Sequence, residues 1–424
     1  MSINRQIAPA TLPVHGISFP FYEKHFSQNG IPVYIVQDSN CNVLKIEFVF
    51  NAGNRHQHQL GQAQATNSLI TEGAGKFSAN EISEKLDQFG SYLQGRNGVD
   101  DASLTLFCLP KHLNNCLSIV YDILNCPQYN DNELVIYKRN AIQKLTVNES
   151  RTSYLARRAF YETVFGDGNF YGKSINQNAI NNISRETLLG FYESNYKPGI
   201  KSLFVSGNSQ TETTKLLLDF LAPFKYSNTK SETIQIESGK GVRVIVDKPG
   251  AVQNTIRIGK NTINRNHKDF RKLQFLNLLL GGYFGSRLMK NIREEKGLTY
   301  GIYSTIETYK DASAFYIETE INKELTELGI KEILLDIENL KAIPIHQNEL
   351  NTAKNYMLGT FLRSFDGPFS TTERLKTLLD YDLETNYYGE FVEIINTISP
   401  LELLELANTH FVTDEFVTII AGQI

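Results

Sequence analysis

Cysteine is scarce. Cys41, Cys108, Cys116 and Cys126 are the only four in 424 residues, and none stands in a C-x-x-C pair. That spacing excludes a disulfide scaffold or a zinc knuckle, and the four read as core thiols. Long apolar runs are missing too: none reaches the roughly 18 residues a membrane helix needs. An excess of one charge is also absent, with 42 Lys and Arg against 46 Asp and Glu, a net charge of -4. Such a balance lacks the basic footprint of a nucleic-acid binder. The first residues hold no apolar stretch of signal-peptide type, and Pro9, Pro13 and Pro20 interrupt them. The segment reads as an extended arm, with the cytoplasm as the default compartment.

What is present is an ordinary globular composition, 41% hydrophobic and 21% charged. Single cores stop growing near roughly 250–300 residues, so the length asks for two domains. The chain repeats itself at half its length. Ile180-Asn-Asn-Ile-Ser184 returns as Ile395-Asn-Thr-Ile-Ser399, and Asn169-Phe-Tyr-Gly172 as Asn386-Tyr-Tyr-Gly389. The offsets are 215 and 217. Both Ile-Ser steps look like helix N-caps, the second with Pro400 at the first helical position. A strand-like run closes each half, at 201–206 and 415–420. An internal duplication follows, with domains at 1–225 and 242–424 and a polar linker at 226–241 expected on the surface.

Alternation predicts strands at 33–36, 43–51 and 102–109, and helical spacing predicts helices at 79–89, 110–124 and 131–147. The second half repeats the order: strands within 241–260, helices at 267–280 and 284–296, then a hairpin 300–309/312–321 turned at Lys310-Asp311. This predicts an α+β fold of two homologous domains, each a mostly antiparallel sheet with helices packed on one face.

Asn51-Ala-Gly-Asn-Arg55 through Gly61, Glu72-Gly73, Phe77-Ser-Ala-Asn-Glu-Ile82 and Phe284-Gly-Ser-Arg-Leu through Arg293-Glu-Glu-Lys-Gly-Leu-Thr-Tyr300 span nearly the whole chain. In these stretches the sequence resembles the pitrilysin/insulinase family of zinc peptidases. The resemblance implies an inverted His-x-x-Glu-His motif, two imidazole ligands flanking a general base, with a Glu ligand about 75 residues on. Here Gln64 stands for the first His, Asn67 for the Glu, Ser68 for the second His, and Lys144 for the distal Glu. A lysine ammonium only donates hydrogen bonds and opposes a divalent cation. No cofactor is therefore expected in this chain. His56 and His58, the only histidines close together, lack a third ligand and read as a solvated loop. The glycines at 281, 282 and 285 lack the Lys-Ser/Thr of a phosphate loop.

The resemblance also implies that Arg293 and Tyr300 reach a peptide substrate. The Arg would hydrogen-bond the main chain, and the Tyr hydroxyl would stabilise the tetrahedral oxyanion. Phe284, Leu288 and Ile292 give the preceding helix an apolar face, and Gly297 is placed to end it. Some relatives are heterodimers in which one subunit carries the zinc motif and the other the Arg/Tyr pair. That implies a homologous zinc-bearing partner and a peptide substrate for this chain. The alternative is an inactive scaffold, like the family's core-type subunits of respiratory complexes. An unrelated hydrolase finds no G-x-S-x-G elbow or Cys/His signature.

Overall fold

The computed structural model describes residues 14, 16–227, 234, 236 and 238–423. Much of the linker expected at 226–241 thus lies outside the described residues. Among the described residues eleven strands form two sheets. The first takes β1 (Glu23–Phe26), β2 (Pro32–Gln37), β3 (Leu44–Phe50), β4 (Tyr92–Asn97), β5 (Ala102–Cys108) and β6 (Ser202–Gly207) in the order β1-β2-β6-β3-β5-β4. The second takes β7 (Arg243–Asp247), β8 (Gln253–Asn261), β9 (Ile302–Thr308), β10 (Ser313–Asn322) and β11 (Val417–Gly422) in the order β7-β11-β8-β10-β9. Only β2–β6 and β7–β11 pair in parallel, so both sheets are mostly antiparallel.

The repeat is visible residue by residue. Leu203 of β6 lies opposite Phe48 and Val33, while Thr418 of β11 lies opposite Ile258 and Arg243. Positions 203 and 418 are again 215 apart. Ser184 caps the helix Arg185–Asn195 with a capping box closed by Thr187, and Ser399 caps Pro400–His410 with one closed by Glu402. Ile183 and Ile398, just before these caps, are both buried. Each box satisfies two orphan N–H groups at once, which is why the Ile-Ser step recurs where a helix must start.

Each sheet carries its own helices on one face, as expected. The opposite face is covered by a helix of the other half. Thr152–Phe165 lays Leu155, Ala156, Phe160 and Val164 against Ala314, Tyr316, Val417 and Ile419 of the second sheet. Gly367–Asp380 lays Leu375 and Leu379 against Tyr34, Val36, Val49 and Phe204 of the first. These two helices begin 215 residues apart, so the exchange is reciprocal and belongs to the duplication. Among the described residues no helix is long and apolar enough to cross a membrane.

Two of the four thiols are not core groups. Cys108 and Cys116 are buried, but Cys41 is half-buried and Cys126 exposed. Sequence alone marks cysteine as apolar without saying which ones fall at the end of a helix, as Cys126 does after Leu113–Asn125.

The exchange makes a test that separates helix from sheet. Phe160→Ala removes a fully buried ring and is expected to cost about 3–5 kcal/mol. Hydrogen exchange should quicken most in β8, β10 and β11, not in the half that carries Phe160. Leu375→Ala should do the reverse, in β2, β3 and β6. Losses confined to each helix's own half would refute the exchange.

Candidate functional site

The zinc-motif positions sit on the helix Gln62–Leu69, entered through Gly61 in a left-handed turn. Gln64 and Ser68, four residues apart, share its outward face and both are exposed. Asn67 points the other way and is only 2% exposed. Its Nδ2 donates to the Tyr196 hydroxyl at 3.0 Å and to the Ser103 carbonyl at 3.3 Å. Gly95 of β4 makes room for it: a Cβ there would lie 2.7 Å from Asn67 Oδ1. Burial pushes the Tyr196 phenol well above its ordinary pKa, so it stays a neutral partner. Lys144 lies exposed on the helix Asp131–Glu149, which packs alongside.

This donor set does not fit zinc. An amide, a hydroxyl and an ammonium replace two imidazoles and a carboxylate, and the fourth side chain is committed to the core. Among the described residues no group of three or more His, Cys, Asp or Glu side chains is placed to hold a metal ion.

The loop ahead of this helix is less solvated than its sequence suggests. Asn54–His56 forms a single 3₁₀ turn in which His56 is half-buried, with burial and then the Arg55 charge holding its pKa below the ordinary value. His58 is exposed. Arg55 is almost fully enclosed and pairs at 2.8 Å with both Asp100 and Asp311, the latter in the β9–β10 turn of the other half. Nothing local in the sequence announces that contact, because the partner lies 256 residues away.

Tyr300 lines an open groove of about 610 Å³ built entirely from the second half, and Arg293 stands beside it against the groove residue Phe284. Tyr283, Phe284, Met289, Tyr300, Ile302 and Tyr303 supply most of its apolar wall. The chain approaching it widens into two π-type turns, Leu278–Gly282 and Met289–Glu295. Such turns insert an extra residue and often re-aim a functional side chain. Arg293 sits in the second, its guanidinium carbon 4.6 Å from the Phe284 ring centroid. Gly297, at φ +62°, closes the turn, with Lys296 N–H donating to the Asn291 carbonyl and Leu298 N–H to that of Ile292.

Tyr300 lies two residues before β9, not in it, and is 95% exposed. Its backbone is nonetheless fixed. The Thr299 hydroxyl meets the Glu320 carbonyl at 2.7 Å, and the Thr319 hydroxyl meets the Gly301 carbonyl at 2.9 Å. These contacts tie the segment to β10 beyond the point where β9 stops pairing. On the groove floor Glu318 is neutralised by Arg257 and accepts from the Tyr303 hydroxyl at 2.8 Å. The groove therefore presents the Tyr300 phenol hydroxyl and the Glu320 carboxylate, with the Arg293 guanidinium stacked on its Phe284 wall.

Residues 182–357 match the family model described as the peptidase M16 inactive domain. An uncharacterized zinc protease of Rickettsia felis is 22% identical over 391 residues, covering 91% of this chain and 93% of that protein. A non-peptidase homolog from Helicobacter pylori is 22% identical over 410 residues, 91% of this chain and 90% of that one. A solved M16 inactive domain from Pseudomonas fluorescens superposes with a TM-score of 0.86 at 19% identity, over 95% of this chain and 98% of that one. Over residues 182–357 the chain is thus similar to the peptidase M16 inactive domain, and over about nine-tenths of its length to proteins named as a zinc protease and as a non-peptidase homolog.

Two outcomes are expected. After dialysis against a weak chelator, elemental analysis should find no stoichiometric zinc, and about one zinc per chain would overturn the reading of the donor set. Asn67→Asp should destabilise the fold by about 1–3 kcal/mol in denaturant titration, since an ionised carboxylate cannot donate to the Ser103 carbonyl. An unchanged midpoint would show that the Asn67 contacts carry no weight.

Proposed function

We propose that this chain is the zinc-less subunit of a two-subunit pitrilysin-like peptidase. It binds peptide along the Phe284–Tyr300 groove and presents Arg293 and Tyr300 to a substrate held by a homologous zinc-bearing partner. The observation that carries this reading is the display of Tyr300. A large aromatic that is 95% exposed on a hydrogen-bonded, immobilised turn contributes nothing to the core, whereas a contact group for a ligand needs that placement. Arg293 stacks on Phe284, which lines the same groove.

When a peptide bond is attacked, negative charge gathers on its carbonyl oxygen. A hydroxyl donor in place for that oxygen is worth roughly 10²–10³ in rate. The Arg293 guanidinium can hold the peptide main chain in ground and transition states alike, which affects binding more than turnover. A second reading, an inactive scaffold, is favoured by the loss of all four motif positions and by the non-peptidase name of the Helicobacter relative. It leaves the exposed Tyr300 without a purpose.

Reconstitution with the zinc-bearing partner separates the two. Tyr300→Phe is expected to keep fold and association while lowering kcat, and Arg293→Ala mainly to raise KM. Full activity from both variants would transfer the assignment to the scaffold. Robust turnover by the lone chain, abolished by chelation, would sink the shared-site reading altogether.

A further inference from the structure

The segment that carries Arg293 has three sides. Leu288 and Ile292 are fully buried in the second core, and Phe284 faces the groove with Arg293 stacked on its ring. The third side is a row of polar anchors. Arg287 grips Glu349 with two hydrogen bonds, 2.8 and 3.1 Å, and Lys296 pairs with Glu332 at 2.9 Å. Between them, Asn291 Nδ2 donates to Asp336 Oδ2 at 3.1 Å. Glu332 and Asp336 lie one turn apart on the helix Thr326–Ala342 and are 6% and 8% exposed.

Asp336 is costly where it is. Its two nearby cations, Arg287 and Lys296, are engaged by Glu349 and Glu332, and Glu332 adds a like charge from the same helix. A buried carboxylate whose hydrogen-bond donor is a neutral amide is not explained by stability. What it does hold is Asn291, two residues before Arg293 in a wide turn. Two residues span close to half a turn, so the two side chains leave on nearly opposite sides and fixing one aims the other.

We propose that Asp336 is a positioning residue for Arg293: by holding Asn291 it fixes the rotation of the Met289–Glu295 turn and sets where the guanidinium stands over the groove. The proposal rests on the reading of Arg293 as a peptide-contacting group, and the experiment separates the two.

Asp336→Leu and, from the other side, Asn291→Leu remove the contact in the full-length chain. Both should quicken amide exchange in 289–301 about tenfold, the loss expected for one hydrogen bond, while leaving the two sheets protected. Asp336→Asn keeps an acceptor for Asn291 and should leave that exchange as in the wild type. Burial, aided by Glu332, raises the Asp336 pKa to about 6 from the ordinary 3.8. The folded state therefore holds the proton more tightly than the unfolded one. The stability this gives is full below about pH 4 and is lost as pH rises through 6. Asp336→Asn should accordingly raise Tm at pH 7.5 but not at pH 4, a sign that it folds and that the charge was a burden.

Unchanged exchange in both Leu variants, or loss of protection in Asp336→Asn equal to that in Asp336→Leu, would overturn the proposal. The groove reading is tested apart from it, by fluorescence anisotropy with a fluorescein-labelled, Gly/Ser-rich peptide carrying a central phenylalanine. Arg293→Ala should weaken that binding. If it does not, while the Leu variants still loosen the turn, the peptide reading fails and the positioning stands.

Discussion

Each half of this protein can bury both faces of its sheet only by borrowing a helix from the other. Phe160 closes the second sheet and Leu375 the first, at equivalent points of the repeat. A sheet with one apolar face left to water is not a stable unit, so neither half is complete alone. The polar features of the junction depend on that exchange, because the borrowed helices bring charged side chains against the strands they cover.

The charges at this junction do not stabilise it cheaply. Lys376 and Lys45 meet Glu47 and Glu373, Lys201 meets Asp101 and Asp380, and Arg55 meets Asp100 and Asp311, most of them largely enclosed. Taking such groups out of water offsets much of their attraction, whereas removing one partner strands the other. Their effect is selective rather than adhesive. An apolar helix face slides over a sheet with little penalty, but a register that separates Lys376 from Glu47 leaves buried charge unpaired.

Much of this was legible in the sequence. The repeat, the strands at 33–36 and 43–51, the hairpin turned at Lys310-Asp311 and the end of the Arg293 turn at Gly297 all follow from local chemistry. Caps, alternation and left-handed glycine act within a few residues. The non-ligand character of Gln64, Ser68 and Lys144 is likewise a property of each side chain and does not depend on its neighbours. The exchanged helices were not legible. An apolar stripe states that a helix is buried and not against what, so Thr152–Phe165 reads the same whichever sheet receives it. The enclosure of Arg55 and the half-burial of His56 escaped for the same reason, their environment being supplied by residues distant in the chain. Asn67 was identified as a lost catalytic position, but not as a core residue.

That last difference decides what the first half has become. Gln64 and Ser68 are exposed, so their change to non-ligands leaves the helix indifferent. Asn67 has been taken into the interior, where its amide joins β5 to Tyr196 and fits against the bare Cα of Gly95. An ionised carboxylate at that position would face the Ser103 carbonyl, acceptor against acceptor, in a site where an unpaired polar group is expensive. Asn67 is therefore held by packing. In the second half the opposite holds: Tyr300 is kept out of the core by two threonine hydroxyls fastening its neighbours, and Arg293 rests on an aromatic ring at the groove's edge. Packing thus fixes Asn67 inside the first half, while in the second half it holds Tyr300 out of the core.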